Sequence, residues 1–351
     1  MTLNDIIGEA KERRASDLHF VAGLPIKIRV DNILRDYDSH ILTHEECEEV
    51  ARELCGERYS EISEIGEMDL ARSFPCGIRC RINVFRQQGH VSSSLRLLFD
   101  DIPAIDTLGL PPIAWDFIKY RRGIVLVTGE TGSGKTTTLA AILNEINHMY
   151  NKHIITLEDP IEYIYKPDKC TINQRQLGQD TTSYAKGIRA ALREDPDVIL
   201  VGEMRDRDTI ETALTAAETG HLVFATLHTN SAPGSIDRIV NAFPADKHAQ
   251  VRMELAGCLK AVISQHLIPR KDAPGRVLAC EVMVPNGAMR NLIREGKDNQ
   301  LYNSMLTGAN DGNITMDNAL LKLARTGAIA MEEAADAAQD TEFVKKSLGI
   351  R

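Results

Sequence analysis

The stretch Val125–Leu143, VLVTGETGSGKTTTLAAIL, opens as an apolar strand-forming run, breaks into glycines and resumes in helix formers. Gly129-Glu130-Thr131-Gly132-Ser133-Gly134-Lys135-Thr136 fits the pattern G-x-x-x-x-G-K-[ST], and a strand before it with a helix behind it is the setting that gives the pattern meaning. The glycines let successive backbone N–H groups turn inward around phosphate oxygens. The helix N-terminus adds its dipole. Lys135 supplies a point charge for the β- and γ-phosphates and Thr136 a hydroxyl for Mg²⁺. Residues 129–137, with Thr137 at their end, are therefore expected to hold ATP.

Working outward, four apolar runs alternate with helical segments: GIVLVTG, HIITLED, DVILVGE and GHLVFATLH. Such runs read as strands buried on both faces of a mostly parallel sheet. Each ends in polar or glycine residues, and in an open α/β sheet those ends gather at the ligand-binding edge. Gly129–Thr136, Glu158–Glu162, Glu203–Arg205 and Thr226–His228 are thus expected to be neighbours. From about residue 250 onward the chain reads as helical, with MDNALLKLARTG a late helix.

Residues 1–100 read differently, as a small α+β domain. LNDIIGEAKERR and CEEVARELC have apolar residues at helical spacing. IKIRV and ILRDY flank Asp31-Asn32, a tight-hairpin signal, and GIRCRINVF and VSSSLRLLF flank a second connection, Arg86–His90. The segment DDIPAIDTLGLPP, with three prolines and a glycine, is linker chemistry. The expected division is 1–100, a linker at 101–112, and an ATPase domain over 113–351.

The chain has 351 residues and a formal net charge of −9, 43% of it hydrophobic. That balance argues against a general affinity for nucleic acid or anionic lipid. No apolar run approaches the ~20 residues of a membrane span, and the N-terminus lacks a secretory layout; a cytoplasmic protein is expected. The seven cysteines read as reduced thiols. Cys76 and Cys80, the closest pair of interest, read as small residues packed on one face of a strand rather than as metal ligands.

Acids and arginines carry the remaining chemistry. LEDPIE offers Glu158, Asp159 and Glu162, and DVILVGE offers Glu203 where Gly202 takes the place of the usual metal-binding aspartate. One carboxylate must organise the metal's water shell and one must orient or deprotonate the attacking water; Asp159, before Pro160, also reads as a helix cap. Thr226 and His228 leave a buried strand on one face, as a γ-phosphate sensor would, although a lone histidine is as often structural. Arg79 and Arg81 share a face of the second hairpin with Arg96 on the returning strand, and Arg189 and Arg193 are placed four apart on one helix. Positive charge at the γ-phosphate is commonly delivered in trans, and a basic hairpin beside an ATPase domain suits that use in a ring.

Taken together, ASDLHFVAGLPIKIRVDNILR, RCRINVFRQQG, GETGSGKTTTLAAIL, TLEDPIEY, ALREDPDVILVGEMRD, TALTAAETGHLVFATLHTNSA, LIPRKDAPGRVLACEVM and AMRNLIREGK resemble the secretion ATPases of type II and type IV pilus systems, most closely the pilus retraction motors of the PilT family. The resemblance covers nearly the whole chain. It implies a PAS-like first domain, a RecA-like second domain and a homohexameric ring that turns ATP hydrolysis into pilus retraction and twitching motility. It makes Glu162 the base for the water and Glu203 the Mg²⁺ residue with Thr136, partly through water. It places His221 and His228 in a histidine box, and Arg81 and Arg96 at the neighbouring subunit's nucleotide. AMRNLIRE resembles the family's AIRNLIRE helix, with Met289 for isoleucine, a nearly volume-conserving swap. The implied partner is an inner-membrane platform protein of the pilus machine, with a second retraction ATPase left open, and the implied place is peripheral, at the cytoplasmic face of the inner membrane. No nucleic acid and no membrane insertion are expected. Within the same class the alternative is a pilus-assembly or type II secretion ATPase, which the short region before ASDLHF disfavours; the alternative outside it, a DNA-translocating motor, is disfavoured by the acidic balance.

Overall fold

The computed structural model describes residues 2–31, 33–98 and 101–350. Asn32 of the first expected hairpin, and Phe99 and Asp100 at the expected domain boundary, lie outside them. The chain divides into two compact units: one runs up to Ile102 and takes in Pro160–Ile164, the other comprises Pro103–Asp159 and Tyr165 onward.

The first unit is built on six antiparallel strands: β1 (Asp17–Phe20), β2 (Pro25–Val30), β3 (Ile33–Ile41), β4 (Glu67–Ser73), β5 (Arg79–Gln87) and β6 (His90–Leu97). They lie in the order β3-β2-β1-β6-β5-β4. Helices Leu3–Glu12 and His44–Cys55 each open on a reciprocal capping box, Thr2 with Asp5 and Thr43 with Glu46, which satisfies two N–H groups the first turn leaves free. Their apolar faces complete a core around Leu18, Phe20, Ile82 and Leu95. The second connection is tighter than the five residues expected: Gln87 pairs with His90, leaving Gln88 and Gly89, both at positive φ (49° and 83°), as the mirror-image turn that a right-twisted hairpin favours. Cys76 also departs from expectation. It precedes β5 in a turn, with its N–H bonded to Asn4 Oδ1, so only Cys80 is a strand residue. Among the described residues no disulfide joins any of the seven cysteines.

The second unit holds β7 (Gly123–Thr128), β8 (His153–Glu158), β9 (Thr171–Gln176), β10 (Val198–Val201), β11 (Leu222–Leu227), β12 (Leu259–Pro269) and β13 (Arg276–Met283). The order is β13-β12-β7-β11-β10-β8-β9. Pairing is parallel throughout except β12 with β13. The four runs read from sequence are β7, β8, β10 and β11, buried at almost every position. The β12–β13 hairpin corrects the helical reading of the chain beyond residue 250. β12 lies inside the sheet, buried on both faces, so it lacks the alternation that marks a half-exposed strand. Helices do follow it, including Gly287–Glu295 and Met316–Arg325.

Gly202, just past β10, shows why the usual aspartate is missing there. A Cβ on it would stand 2.9 Å from Tyr184 Oη and 3.0 Å from the Leu157 carbonyl oxygen. Gly257, inside helix His248–Cys258, has nothing within 4 Å of its would-be Cβ. Gly202→Ala should therefore lower unfolding free energy by about 1–3 kcal/mol through overpacking, whereas Gly257→Ala should raise it by about 0.5–1 kcal/mol through helix propensity. Urea unfolding of the two variants beside the parent checks both signs.

Candidate active site

The parallel order β7-β11-β10-β8 brings Thr128, Leu227, Val201 and Glu158 to one edge of the sheet, as the alternation of the runs implied. The loop after β7 has the conformation its glycines allow. Gly129, Gly132 and Gly134 take φ of 138°, 81° and 91°, and at Gly129 a Cβ would run into the Gln265 carbonyl and Ser133 Oγ, so the approach to β12 requires glycine. Helix Lys135–Met149 starts directly from Gly134 with no side-chain cap on its N–H groups. Lys135 Nζ donates to the carbonyls of Gly129 (2.7 Å) and Glu130 (2.8 Å), which curls the side chain back over the loop. Burial pulls the Lys135 ammonium below its usual pKa, while Glu203 and Glu130 oppose that. Ser133 Oγ is buried with no hydrogen-bond partner among the described residues, and the Thr136 residue is exposed.

Those features test the loop as a phosphate cradle. Uncapped N–H groups at a helix start, an orphaned buried hydroxyl and an ammonium held over the loop suit anionic oxygens. Two oxygen donors, the Thr136 hydroxyl and the Glu203 carboxylate, suit a hard divalent cation.

Glu203 is the electrostatic centre of the edge. Its carboxylate receives Arg205 Nε at 2.7 Å and lies 3.2 Å from His228 Nε2; only 18% of its side chain is exposed, against 75% for Arg205. The contact raises the pKa of the Arg205 guanidinium. Glu203, His228 and the charge of Lys135 are thus brought together. Thr226 is also at this edge, but its hydroxyl donates to the Gly202 carbonyl, tying β11 to the end of β10. Glu158 is buried and receives Thr156 Oγ1 at 2.6 Å and Gln174 Nε2 at 3.2 Å, which makes it an internal anchor of β8. Tyr184, its hydroxyl pushed up in pKa by burial and by the charges of Asp159, Glu203 and Glu158, is packed beside these acids.

Of the remaining candidates, Glu162, Arg81 and Arg96 belong to the first unit. Glu162 is half-buried in Pro160–Ile164, the segment that belongs to the first unit, where Arg79 Nε donates to the Ile161 carbonyl at 2.8 Å. Arg81 and Arg96 face each other across β5 and β6, and Arg96 Nε bonds Asp17 Oδ1 at 2.9 Å. His221 precedes β11, at the opposite end of the strand from His228, with Nδ1 3.0 Å from the Ala216 carbonyl. Arg193 corrects a sequence expectation: helix Tyr184–Ala191 ends before it, and its guanidinium bonds back to the Arg189 carbonyl at 2.9 Å, capping that helix end.

Three residues given no role in the sequence analysis touch the site, one of them, Arg205, at the end of a segment expected at this edge. Arg205 pairs with Glu203, a signal available from their spacing of two. Asn230 Nδ2 reaches Glu130 Oε1 at 3.3 Å, and Arg276 Nη1 reaches the Gly132 carbonyl at 3.4 Å. The last two come from segments 100 and 144 positions away and carry no local signature.

Comparison with known proteins agrees with this geometry. Residues 112–335 match the family described as type II/IV secretion system protein. The type IV pilus retraction ATPase PilT of Pseudomonas aeruginosa is 43% identical, covering 97% of this chain and 99% of its own. A twitching motility protein of Neisseria gonorrhoeae is 48% identical over 79% of this chain and 74% of its own. The crystal structure of the pilus retraction motor PilT with bound ADP superimposes with a TM-score of 0.93 at 44% identity, covering 99% of both chains. With more than half of its length matched by the family and full-length similarity to these relatives, this chain belongs to the type II/IV secretion system protein family.

Proposed function

We infer that this chain is the ATPase that powers type IV pilus retraction and twitching motility. The observation that carries the reading is the full-length likeness to a retraction ATPase, with 43% identity across 97% of this chain. We place it as a homohexamer with a PAS-like first domain and a RecA-like second domain. Its place is the cytoplasmic face of the inner membrane, against a platform protein of the pilus machine. Among the described residues no helix is long and apolar enough to cross a membrane.

The chemistry assigned to the site is phosphoryl transfer to water. The N–H groups of Gly129–Lys135 and the Lys135 ammonium hold the β- and γ-phosphates, with Glu130, Thr131 and Thr137 completing the contacts. The Thr136 hydroxyl and, partly through water, the Glu203 carboxylate would hold Mg²⁺, which would supply neutralisation of the phosphate charge. Glu162 takes a proton from the attacking water as the new P–O bond forms and the β–γ bridge bond breaks. His228 steadies the Glu203 carboxylate through the 3.2 Å contact. Arg81 and Arg96 act on the γ-phosphate of a neighbouring subunit.

Lys135→Ala should abolish ATP turnover and surface motility together, read by phosphate release and by twitching assays; motility that survives the loss of turnover refutes a motor role. Deleting the gene should leave cells with excess, immobile pili, whereas bare cells would assign the chain to assembly. Arg81→Ala should cost about 10³-fold or more in kcat if Arg81 serves as an arginine finger. Mixing Arg81→Ala with Lys135→Ala protein should then restore part of the activity, because a ring can pair an intact loop with an intact arginine. Mixed rings as inactive as either parent would rule out action in trans.

A further inference from the structure

At the edge of the seven-stranded sheet opposite the glycine loop, where β7 begins, the pairing of β7 with β12 is broken. Leu259 stands opposite Ile124 and Ala261 opposite Val125, so Lys260 is an extra residue with no partner on β7. A bulge of this kind re-aims one side chain. The Lys260 chain lies across Gly123, where a Cβ would stand 2.7 Å from Lys260 Cε and 2.8 Å from its Cγ. Gly123 takes φ of 108°, which only glycine adopts freely. The lining of the resulting cavity of about 290 Å³ includes Arg122, Gly123, Glu218, Gly257, Cys258 and Lys260.

The charge in this cavity is unbalanced. Burial, then Arg290, then Arg122 hold the Lys260 ammonium below its ordinary pKa, and only the Cys258 thiol opposes them. That thiol is itself pushed up to about 12 by burial, so it is neutral. Arg290 donates both terminal nitrogens to the carbonyls of Ala256 and Leu259 and is fixed as a structural cation behind the cavity. Lys260 and Arg122 have no ion-pair or hydrogen-bond partner among the described residues. Among the described residues Glu218 is the one carboxylate on the wall, against the unpaired cations of Lys260 and Arg122 and the fixed Arg290. A half-buried cation without an anion is costly, and a bulge that directs it into a cavity beside a second cation is an anion-binding arrangement. At ~30 Å³ per water, the volume takes one tetrahedral oxyanion with several waters and is too small for a nucleotide.

We propose that Lys260 and Arg122 form a binding site for a small oxyanion, a phosphate or carboxylate group, at the sheet edge remote from the nucleotide loop. Charge-assisted bonds from Lys260 Nζ and the forked Arg122 guanidinium hold it. The anion arrives either as free phosphate or as a carboxylate.

The test is site-resolved acylation of the full-length protein, with Mg²⁺ and excess ADP present. An amine-selective acylating reagent is applied and each lysine is followed by mass spectrometry. Lys260 should react faster than exposed lysines, and inorganic phosphate should slow it. The slowing is about fivefold at a phosphate concentration four times the dissociation constant. Arg122→Gln should reduce that protection to less than about twofold at the same concentration. Acetate and free glutamate are run in parallel: protection by phosphate alone assigns the site to phosphate, and protection by all three assigns it to carboxylates as well, both upholding the oxyanion site. Lys260 that no anion protects, or protection that persists unchanged in Arg122→Gln, overturns it. Shielding of Lys135 by ADP is read in the same spectra, so a failure of the nucleotide site is seen separately.

Discussion

A single carboxylate, that of Glu203, sets the electrostatics of the sheet edge. It is mostly buried, it bonds Arg205 and touches His228, and it acts on the charge of Lys135. A buried acid is tolerated only when neighbouring cations and donors compensate it, and here the compensation comes from three different segments of chain. Arg205 follows β10, His228 follows β11, and Lys135 starts the helix after β7. Only the parallel arrangement that ends those strands side by side can assemble such a set. The backbone geometry of Gly202 is part of the same constraint. With Tyr184 Oη and the Leu157 carbonyl closing on it, no side chain fits there, and the acid moves one residue along.

Behind this edge the loops are held by buried polar contacts. Thr128 Oγ1 meets Ser264 Oγ at 2.8 Å, and Gln265 Nε2 donates to Thr138 Oγ1 at 2.7 Å, joining the base of the glycine loop to β12. Glu281, fully buried on β13, accepts the N–H groups of Ala232 and Met316 and an amide hydrogen of Gln339. Burial raises its pKa and those bonds pull it back. Ala232 begins the helix that follows His228 and Asn230, so one acid fixes both the segment bearing His228 and the start of helix Met316–Arg325. The Asn230 contact to Glu130 then links that segment to the nucleotide loop. Buried networks of this kind favour one loop arrangement, and among the described residues the Gln265 Oε1 is the member of these contacts left without a partner.

The parts of this architecture that sequence revealed are those whose signal is local. The glycine loop is legible because φ and close approach dictate residue type over eight consecutive positions, and β7, β8, β10 and β11 are legible as short, bounded apolar runs. β12 was not, because a strand buried on both faces and a buried helix present the same apolar content, and its partner β7 lies more than 130 residues earlier. The Gln88-Gly89 turn was overestimated in length because pairing extended to Gln87 and His90, polar residues with no strand signature. In the site, Glu203 and His228 could be found by their position at strand ends. Asn230 and Arg276 could not, since only tertiary approach gives them a role. Arg193 was misplaced because helix Tyr184–Ala191 stops at a capping contact that periodicity does not register.

The arginines of the first unit illustrate how cost in the fold points to use. Arg29, Asp17, Arg96 and Arg81 stand in one register line across β2, β1, β6 and β5. Asp17 serves two of them, with Arg96 Nε at 2.9 Å and Arg29 Nε at 3.8 Å. Burial would raise its carboxyl, but the bonds from Ser16 and Arg96 outweigh that and hold it below the usual carboxylate value. Arg81 is next in the line, opposite Arg96 on one side and Ala71 on the other, and it makes no ion pair among the described residues. Like charges directly across a strand pair destabilise a sheet, and the buried Ala71 on the other side of Arg81 offers it no counter-charge. The fold presents an exposed guanidinium beside a second one whose orientation Asp17 fixes. Under the proposed action on a neighbouring subunit's nucleotide, Arg81, which makes no ion pair among the described residues, is the stronger candidate for phosphate contact than Arg96, which is already paired with Asp17.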